Sequence, residues 1–505
     1  MASTIALPER PTGQPAAVAP RARRPLWKNM LFRLFAVALG LSPLLAGELA
    51  LRGLGLGKPT DSNDPFVGFS DIHPLFVLDD PSGSYKIPQS RQLHFEPESF
   101  RAVKPAGEFR IFVLGGSTVQ GRPWSIATSF TTWLELHLNA ADPSRTYEVV
   151  NCGGVSYATY RLVPILHEVL QYQPDLIVFC EGHNEFLEDR TYAAMQSQPA
   201  ALAWTGRQIS RLRTYNVVRD GVLWFSTAKK STAAKKPLLG PEVDARLDWR
   251  DGLDKYHRDP KWRAEVIAHF DDSLRRIVRL ADEAAVPLIL VSPVSNLEWA
   301  PFKSEHRADI SPAQIAEFDS LLQQARDLYA TDLPQALRLL ERAAAIDNQH
   351  AQVHYEIGTC LLELGSPHDA YPALFKAKEL DVCPLRMLEP MKALMHSVAS
   401  ETGTPLVDAE ALIAAHSRSG FPDRQWLVDH VHPTLSGHQL IADALAEKLA
   451  SLQLVERAAN WEAARDQAYR AHLATLSHGY FERGNQQLRS EQGWAHGGVK
   501  RVREP

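Results

Sequence analysis

The chain is poor in cysteine, and its net charge is small for its length. Only four cysteines occur in 505 residues and none form a C-x-x-C pair, so neither a disulfide framework nor a zinc knuckle is indicated. A formal net charge of −5 argues against the concentrated basic face that nucleic-acid binding requires. With 45% apolar and 22% charged residues, the composition is that of a globular protein rather than a disordered one, and the length allows about three domains.

A long uninterrupted apolar run is also absent. The best candidate, residues 34–47, carries no charge but is shorter than the roughly 20 residues that a membrane span needs. Basic residues precede it, and apolar character continues to Leu56. We interpret residues 1–30 as a disordered basic N-terminus and 31–57 as an uncleaved signal anchor in the membrane. The positive-inside rule then places the body on the exported, periplasmic or extracellular, side. A cleaved signal peptide and a buried soluble helix remain alternatives.

Beyond an extended arm predicted over residues 58–107, short apolar runs alternate with amphipathic stretches. The pattern predicts an α/β domain with a parallel sheet covered by helices on both faces, in two parts at 108–305 and 385–452. Ligands of such sheets bind at the carboxyl ends of the strands. Residues 453–505 are predicted to form a helical tail. Strands are predicted at 109–114, 147–150, 175–179, 287–291 and 405–407, and helices at 130–138, 160–171, 262–284 and 436–452.

Residues 306–384 separate the two parts and have a period of their own. The period of 34 residues is typical of tetratricopeptide helix pairs, in which small residues let paired helices approach closely. We therefore predict a tetratricopeptide-like helical insert, which serves either as a docking site for a protein partner or substrate rim, or as a spacer. The matching positions are Gly358, Leu361, Ala370, Leu374, Ala377 and Asp381, with Ala336, Leu340, Ala343 and Asp347 one period earlier.

Polar residues follow the first three predicted strands of the domain. The first strand runs into Gly115-Gly116-Ser117, where glycine permits the sharp turn that would present Ser117 as a nucleophile. A P-loop is disfavoured there, because Arg122-Pro123 stands where Lys-Ser/Thr is needed. The second strand ends in the block 151–157 and the third in the block 181–185. Both blocks can offer donors to a developing oxyanion: the amide side chain of Asn184, and backbone amides at Gly153, Gly154 and Ser156.

A final block, Asp429-His430-Val431-His432-Pro433, precedes the last predicted helix. In one turn, Asp429 can hold the tautomer of the His432 imidazole while the other ring nitrogen takes a serine proton. His430 is less well placed for this role. A metal site made by Asp429, His430, His432 and His438 is the alternative, although no known zinc-binding spacing supports it.

Together these blocks resemble the SGNH hydrolases of the GDSL esterase/lipase superfamily. The matches are Leu114–Ser117, Gly182–Glu185 and Asp429–Pro433; Gly116 stands where many members have Asp, and Ser156 stands where the family often has Gly. The resemblance covers residues 108–305 and 385–452. It implies a three-layer α/β/α flavodoxin-like fold.

The resemblance also implies a serine esterase that works through an acyl-enzyme and needs no metal or organic cofactor. In it Ser117 is the nucleophile, His432 the base and Asp429 its partner, with Asn184, Ser156, Gly153 and Gly154 around the oxyanion. The exported layout favours a small-molecule or carbohydrate ester as substrate, and the more specific prediction is a carbohydrate O-acetyl esterase. An O-acyltransferase acting on exported polysaccharide and an inactive envelope scaffold that binds partners through its repeats are the alternatives.

Overall fold

The computed structural model describes residues 64–190 and 238–495, together with short stretches within 35–54 and 213–218. The chain divides into two compact units, residues 1–60 with 199–233, and residues 61–198 with 234–505. In the first unit, the Glu48 carboxylate accepts the backbone amides of Arg213 and Thr214 at 3.1 and 3.0 Å. No helix among the described residues is long and apolar enough to span a membrane. Residues 1–30 and part of the predicted anchor lie outside the described residues. So does a basic stretch, Lys229–Lys236, which the sequence predicts to be a solvated loop.

The second unit is organised around a five-stranded, all-parallel sheet. From one edge to the other, its strands are β10 Leu406–Asp408, β9 Leu288–Ser292, β7 Leu176–Cys180, β5 Glu108–Gly115 and β6 Thr146–Gly153. The chain starts this sheet at β5, adds β6 on one side and then adds β7, β9 and β10 on the other. This is the flavodoxin-like order, in which ligands bind at the carboxyl ends of the two strands where the winding reverses, here β5 and β7. The strands are β1 Gly68–Phe69, β2 Val77–Asp79, β3 Ser84–Lys86, β4 Ser99–Arg101, β5 Glu108–Gly115, β6 Thr146–Gly153, β7 Leu176–Cys180, β8 Leu238–Leu239, β9 Leu288–Ser292 and β10 Leu406–Asp408.

Both faces of the sheet are buried because its strands are apolar on both sides. In β5, Phe112 and Leu114 belong to one hydrophobic core, whereas Ile111 and Val113 belong to the other. Successive side chains of a strand point to opposite faces, so an unbroken apolar run requires cover on each. The five strands and four helices predicted by residue range for the α/β domain are present, with ends displaced by at most three residues.

Helices supply that cover in two layers. On one face pack α3 Thr159–Val169, α4 Pro260–Glu283 and α9 Glu389–Thr402. On the other face pack α2 Phe130–Ala141, α10 Ala409–His416, α11 Leu435–Ser451 and α12 Trp461–Thr475. Their starts are encoded locally: the Asp259 side chain caps α4 ahead of Pro260, and Thr434 caps α11. The helices are α1 Ser117–Gln120, α2 Phe130–Ala141, α3 Thr159–Val169, α4 Pro260–Glu283, α5 Pro312–Leu328, α6 Leu333–Ile346, α7 Ala351–Glu363, α8 Pro367–Leu380, α9 Glu389–Thr402, α10 Ala409–His416, α11 Leu435–Ser451, α12 Trp461–Thr475 and α13 His478–Ala495.

The described part of the predicted arm, residues 64–107, is folded onto the body. It contains a small antiparallel sheet in the order β2-β3-β4. Phe66, Phe76, Phe95 and Phe100 are buried in the same core as helices α3 and α4. The segment is therefore not a free linker over this range, because its many aromatic side chains gain more by burial than by exposure.

The insert consists of four helices that pack in sequence, α5 on α6, α6 on α7 and α7 on α8. At Gly358 an added Cβ would lie 2.5 Å from Leu374, so the small residue permits the close approach of α7 and α8. Leu374 and Ala370 also share a buried cluster with Leu297 and Phe421 of the α/β body. The helix pairs match the predicted insert, and their assignment as tetratricopeptide repeats stays a prediction.

Candidate active site

Ser117 lies at the carboxyl end of the central strand β5, as the first residue of helix α1. The turn before it requires glycine: an added Cβ on Gly116 would lie 2.4 Å from Oε2 of Glu181 and 2.6 Å from Nδ2 of Asn184. Gly153, at the end of β6, is equally constrained, since its Cβ would lie 2.2 Å from the backbone nitrogen of Gln120. These two close approaches place the serine hydroxyl among the ends of β5, β6 and β7.

The opposite side of the site is a loop over residues 426–434. The two ends of the loop meet through hydrogen bonds from the Val428 amide to the His432 carbonyl, at 2.9 Å, and from the Thr434 amide to the Trp426 carbonyl, at 2.8 Å. The Thr118 hydroxyl next to the serine donates to the Val431 carbonyl at 3.3 Å. The loop is thus closed on itself and attached to helix α1.

Ser117, His432 and Asp429 form one chain of hydrogen bonds. The distance from Ser117 Oγ to His432 Nε2 is 2.8 Å, and that from His432 Nδ1 to Asp429 Oδ2 is 2.6 Å. The other carboxylate oxygen of Asp429 accepts the backbone amides of Val431 and His432 at 2.9 and 2.8 Å. Asp429 is 5% exposed and His432 is 8% exposed, so the pair is shielded from water. The serine can therefore donate to Nε2 while Nδ1–H donates to the carboxylate.

The electrostatics of the pair favour this arrangement of protons. Burial on its own would raise the pKa of Asp429, but the adjacent His432 and the two amide donors lower it to about 2. Burial would also lower the pKa of His432, but the Asp429 carboxylate raises that pKa above its ordinary value. Asp429 is therefore ionised at neutral pH, and it strengthens His432 as a base.

Asn184 is held at the edge of the site by a buried acid that sequence reasoning missed. Its side-chain amide donates to the Tyr157 carbonyl at 3.0 Å, which leaves its second N–H for another acceptor. Glu181 Oε1 accepts the backbone amides of Gly182, His183 and Asn184 at 2.9, 2.8 and 3.1 Å. Burial raises the pKa of Glu181 to about 8 despite these donors. The available signal in the sequence was an acidic residue, Glu181, directly after the apolar run of β7.

The three candidate residues of the second block are placed differently from one another. The Gly153 amide donates to Asn151 Oδ1 at 2.9 Å, and the Gly154 amide donates to the Gly115 carbonyl at 2.9 Å. Both amides are thus already engaged and cannot serve an oxyanion without giving up these bonds. Ser156 has a φ of 64°, the left-handed conformation that favours glycine. Ser156 therefore occupies a backbone conformation that side-chain-bearing residues seldom adopt.

The alternative metal site is not assembled as the sequence suggested. His430 points away from Ser117 and donates from Nε2 to the Ala300 carbonyl at 2.9 Å, while His438 Nδ1 accepts the Phe130 amide. Within the described ranges, the one group with metal-ligand geometry is Asp429, His432 and Glu491, whose ligand atoms lie within 4.8 Å of one another. A cation there would compete with the hydrogen bond between His432 and Asp429. Glu491, from the C-terminal helix α13, was not anticipated by any motif.

Comparison with known proteins gives distant structural likenesses only. No family model matches the chain, and no curated protein matches it. Among solved structures, similarity extends to acetylxylan esterase Axe2 from Geobacillus stearothermophilus, with 13% identity, a TM-score of 0.30, and coverage of 69% of this chain and 96% of that one. An α/β hydrolase, LAE5, from the metagenome of Lake Arreo, Spain, has 15% identity, a TM-score of 0.30, and coverage of 69% and 97%. A protein from Parabacteroides merdae described as a GDSL-like lipase has 13% identity, a TM-score of 0.33, and coverage of 68% and 95%. Similarity this distant does not assign an activity to the chain.

Proposed function

We propose that the protein is a serine ester hydrolase of the SGNH/GDSL type that acts through an acyl-enzyme. The observation that carries the proposal is the continuous chain from Ser117 Oγ through the His432 imidazole to Asp429, with distances of 2.8 and 2.6 Å. A hydroxyl, a base and an orienting carboxylate in this order are what activates a serine for attack on an acyl carbon.

In the acylation step, Ser117 Oγ forms a bond to the acyl carbon while its proton moves to His432 Nε2. The imidazolium that results is stabilised by Asp429, which lies against Nδ1 and is ionised at neutral pH. The tetrahedral intermediate then collapses, the bond to the alcohol breaks, and His432 returns the proton to the departing alkoxide.

In the deacylation step, a water molecule gives a proton to His432 Nε2 as its oxygen attacks the acyl carbon. The bond to Ser117 Oγ breaks, the serine recovers its proton from His432, and the carboxylic acid leaves. A sugar hydroxyl in place of water would give acyl transfer rather than hydrolysis by the same two steps. Dependence of turnover on an added sugar acceptor distinguishes the two reactions.

The oxyanion is held by the Ser117 backbone amide, by the second N–H of Asn184 and by the Ser156 amide in this proposal. Ser117 is the first residue of helix α1, where the backbone amide has no partner within the helix. We leave Gly153 and Gly154 out of the set because their amides donate elsewhere. Each donor of this kind contributes about 3–4 kcal/mol to stabilisation of the transition state.

The proposal also covers the class of substrate and the cellular location of the enzyme. An exported, membrane-anchored enzyme would meet acylated carbohydrates, so an O-acetyl ester of a sugar is the preferred substrate class. The helical insert would contribute a rim for that substrate or a surface for a protein partner. An inactive scaffold remains the competing proposal from a different class.

The test is covalent labelling of the full-length protein with a fluorophosphonate probe, followed by assays with p-nitrophenyl acetate and acetylated sugars. We expect the unchanged protein to be labelled and to hydrolyse the esters, and we expect Ser117→Ala to abolish both activities. Ser320→Ala, which changes an exposed serine of the insert, is the control and should leave both intact. Absence of labelling, or labelling that persists in Ser117→Ala, would overturn the enzyme proposal. Turnover that depends on an added sugar acceptor would redirect it from hydrolysis to transfer.

A further inference from the structure

Helix α13, near the C-terminus, packs against both loops that build the active site. An added Cβ on Gly484 would lie 1.9 Å from Cδ1 of Trp124, in the loop that follows Ser117 and α1. On the other side, the Gln492 side chain donates to the carbonyl of Val428, next to Asp429, at 3.1 Å. Tyr480 is also 2.8 Å from the hydroxyl of Thr128. The helix is therefore a wall of the site and not a detached tail.

Glu491 is the residue of this helix that reaches the reacting groups. Its Oε1 accepts from Arg122 Nη1 at 2.8 Å and from Gln487 Nε2 at 2.9 Å. Its Oε2 lies 4.0 Å from His432 Nδ1 and is buried, with no hydrogen-bond partner within the described chain. The proton on Nδ1 already goes to Asp429 at 2.6 Å, so Glu491 acts on the imidazole through its charge and not as a second acceptor.

We infer that Glu491 is a positioning residue of the active site, which pairs with Arg122 to join helix α13 to the serine loop and presents a second carboxylate to the His432 imidazole. The inference rests on the proposed function, in which His432 is the base. It adds a group outside the hydroxyl, imidazole and aspartate of the hydrogen-bonded chain. It also accounts for a segment of the sequence that no motif explains.

The charges around His432 fix the direction in which each substitution should move its pKa. Asp429 and Glu491 stabilise the imidazolium and raise the pKa of His432, whereas Arg122 lowers it. His183 and His438 are buried, and burial lowers the pKa of each to about 3, so both remain neutral between pH 5 and pH 8. Glu181 lies on the other side of Gly116, and burial raises its pKa to about 8, but both substitutions leave it unchanged. Loss of the Glu491 charge and loss of the Arg122 charge should therefore move the titration of His432 in opposite directions.

The experiment measures kcat/KM for p-nitrophenyl acetate and the rate of fluorophosphonate labelling against pH, using the full-length protein. We expect Glu491→Gln to move the acid limb of both profiles to lower pH by about 0.5 unit or more, since its charge lies 4.0 Å from His432 Nδ1. Arg122→Gln should move the limb in the opposite direction, to higher pH. Arg122→Lys, which keeps the charge, should leave the limb near that of the unchanged protein. Glu482→Gln, on the same helix but exposed, is the matched control and should not move the limb.

Opposite shifts support the inference, and a purely structural role would not produce them. Unchanged limbs, or shifts of the same sign in Glu491→Gln and Arg122→Gln, overturn it while the labelling of Ser117 still stands. If Glu491→Gln does not fold, the contrast between Arg122→Gln and Arg122→Lys decides the matter in the same way. Failure of the unchanged protein to label at Ser117 is a different result and removes the proposed function itself.

Discussion

The contacts that stabilise the α/β body span longer distances along the chain than the contacts that stabilise the helical insert. In the body, the hydrogen bond from Ser117 to His432 joins positions 315 residues apart, and the pair of Arg122 and Glu491 joins positions 369 apart. In the insert, contacts join positions that are close in the chain, as in the ion pair between Arg326 of α5 and Glu356 of α7, 30 residues apart. The comparison teaches that the site depends on the whole tertiary fold, whereas the insert depends on local repetition. Changes in the two regions should therefore separate activity from stability.

The largest effect is expected from replacing His432 in the active-site loop, with its neighbour His430 as the control. His432→Ala removes the base and should reduce kcat/KM by about three orders of magnitude or more. His430→Ala should keep activity within about tenfold, because that imidazole donates to the Ala300 carbonyl and packs on Phe302 and not on Ser117.

Steady-state rates beside thermal melting curves check this pair. The melting curves matter because His430 is buried, and its removal leaves a cavity that lowers stability. Equal losses of rate in the two variants, with both proteins folded, would contradict the assigned roles.

Two tightly packed glycines, Gly116 in the body and Gly358 in the insert, allow the same substitution to be compared in the two regions. Gly116→Ala places a Cβ against Glu181 and Asn184 at the site, so we expect kcat/KM to fall about 10- to 100-fold through displacement of the serine turn. Gly358→Ala places a Cβ against Leu374 in the insert, so we expect a loss of about 1–3 kcal/mol in stability with little change in rate.

Denaturant unfolding and rates measured on the same samples distinguish the two outcomes. Gly240→Ala is the control, because the nearest atom to its added Cβ is 3.7 Å away. A Gly358→Ala protein that is fully folded but inactive would show that the insert takes part in the chemistry and does not depend on local repetition alone.

The smallest effect is the position of the acid limb in the unchanged protein. Only neutral His432 can take the serine proton, so the rate should fall as pH drops through its pKa. Because Asp429 outweighs burial and raises that pKa, half-maximal kcat/KM should lie above about pH 6.5, the ordinary histidine value. A pH profile of kcat/KM measures it, and an acid limb near pH 5 would mean that a different group titrates.

Much of the fold followed from patterns that are local in the chain. The apolar run at residues 109–114 predicted β5, and its lack of alternation predicted a sheet covered on both faces, which the separate cores around Phe112 and Val113 confirm. The burial of residues 64–107 was not predicted, because Pro, Ser and Asp in that segment suggested exposure and its aromatic residues have no periodicity. An irregular segment shows its partners only when the surface that receives it exists.

The sequence by itself determined the strand order along the chain, the glycine turns and the Asp429–His432 loop, because each depends on neighbours within a few residues. Only the tertiary structure decided that Glu181 lies beside Gly116, and that Glu491 from the last described helix faces His432. The physical reason is that charges act through space. A carboxylate dozens of residues away in the chain leaves no local pattern, yet at 4.0 Å from the imidazole it changes the protonation of the base.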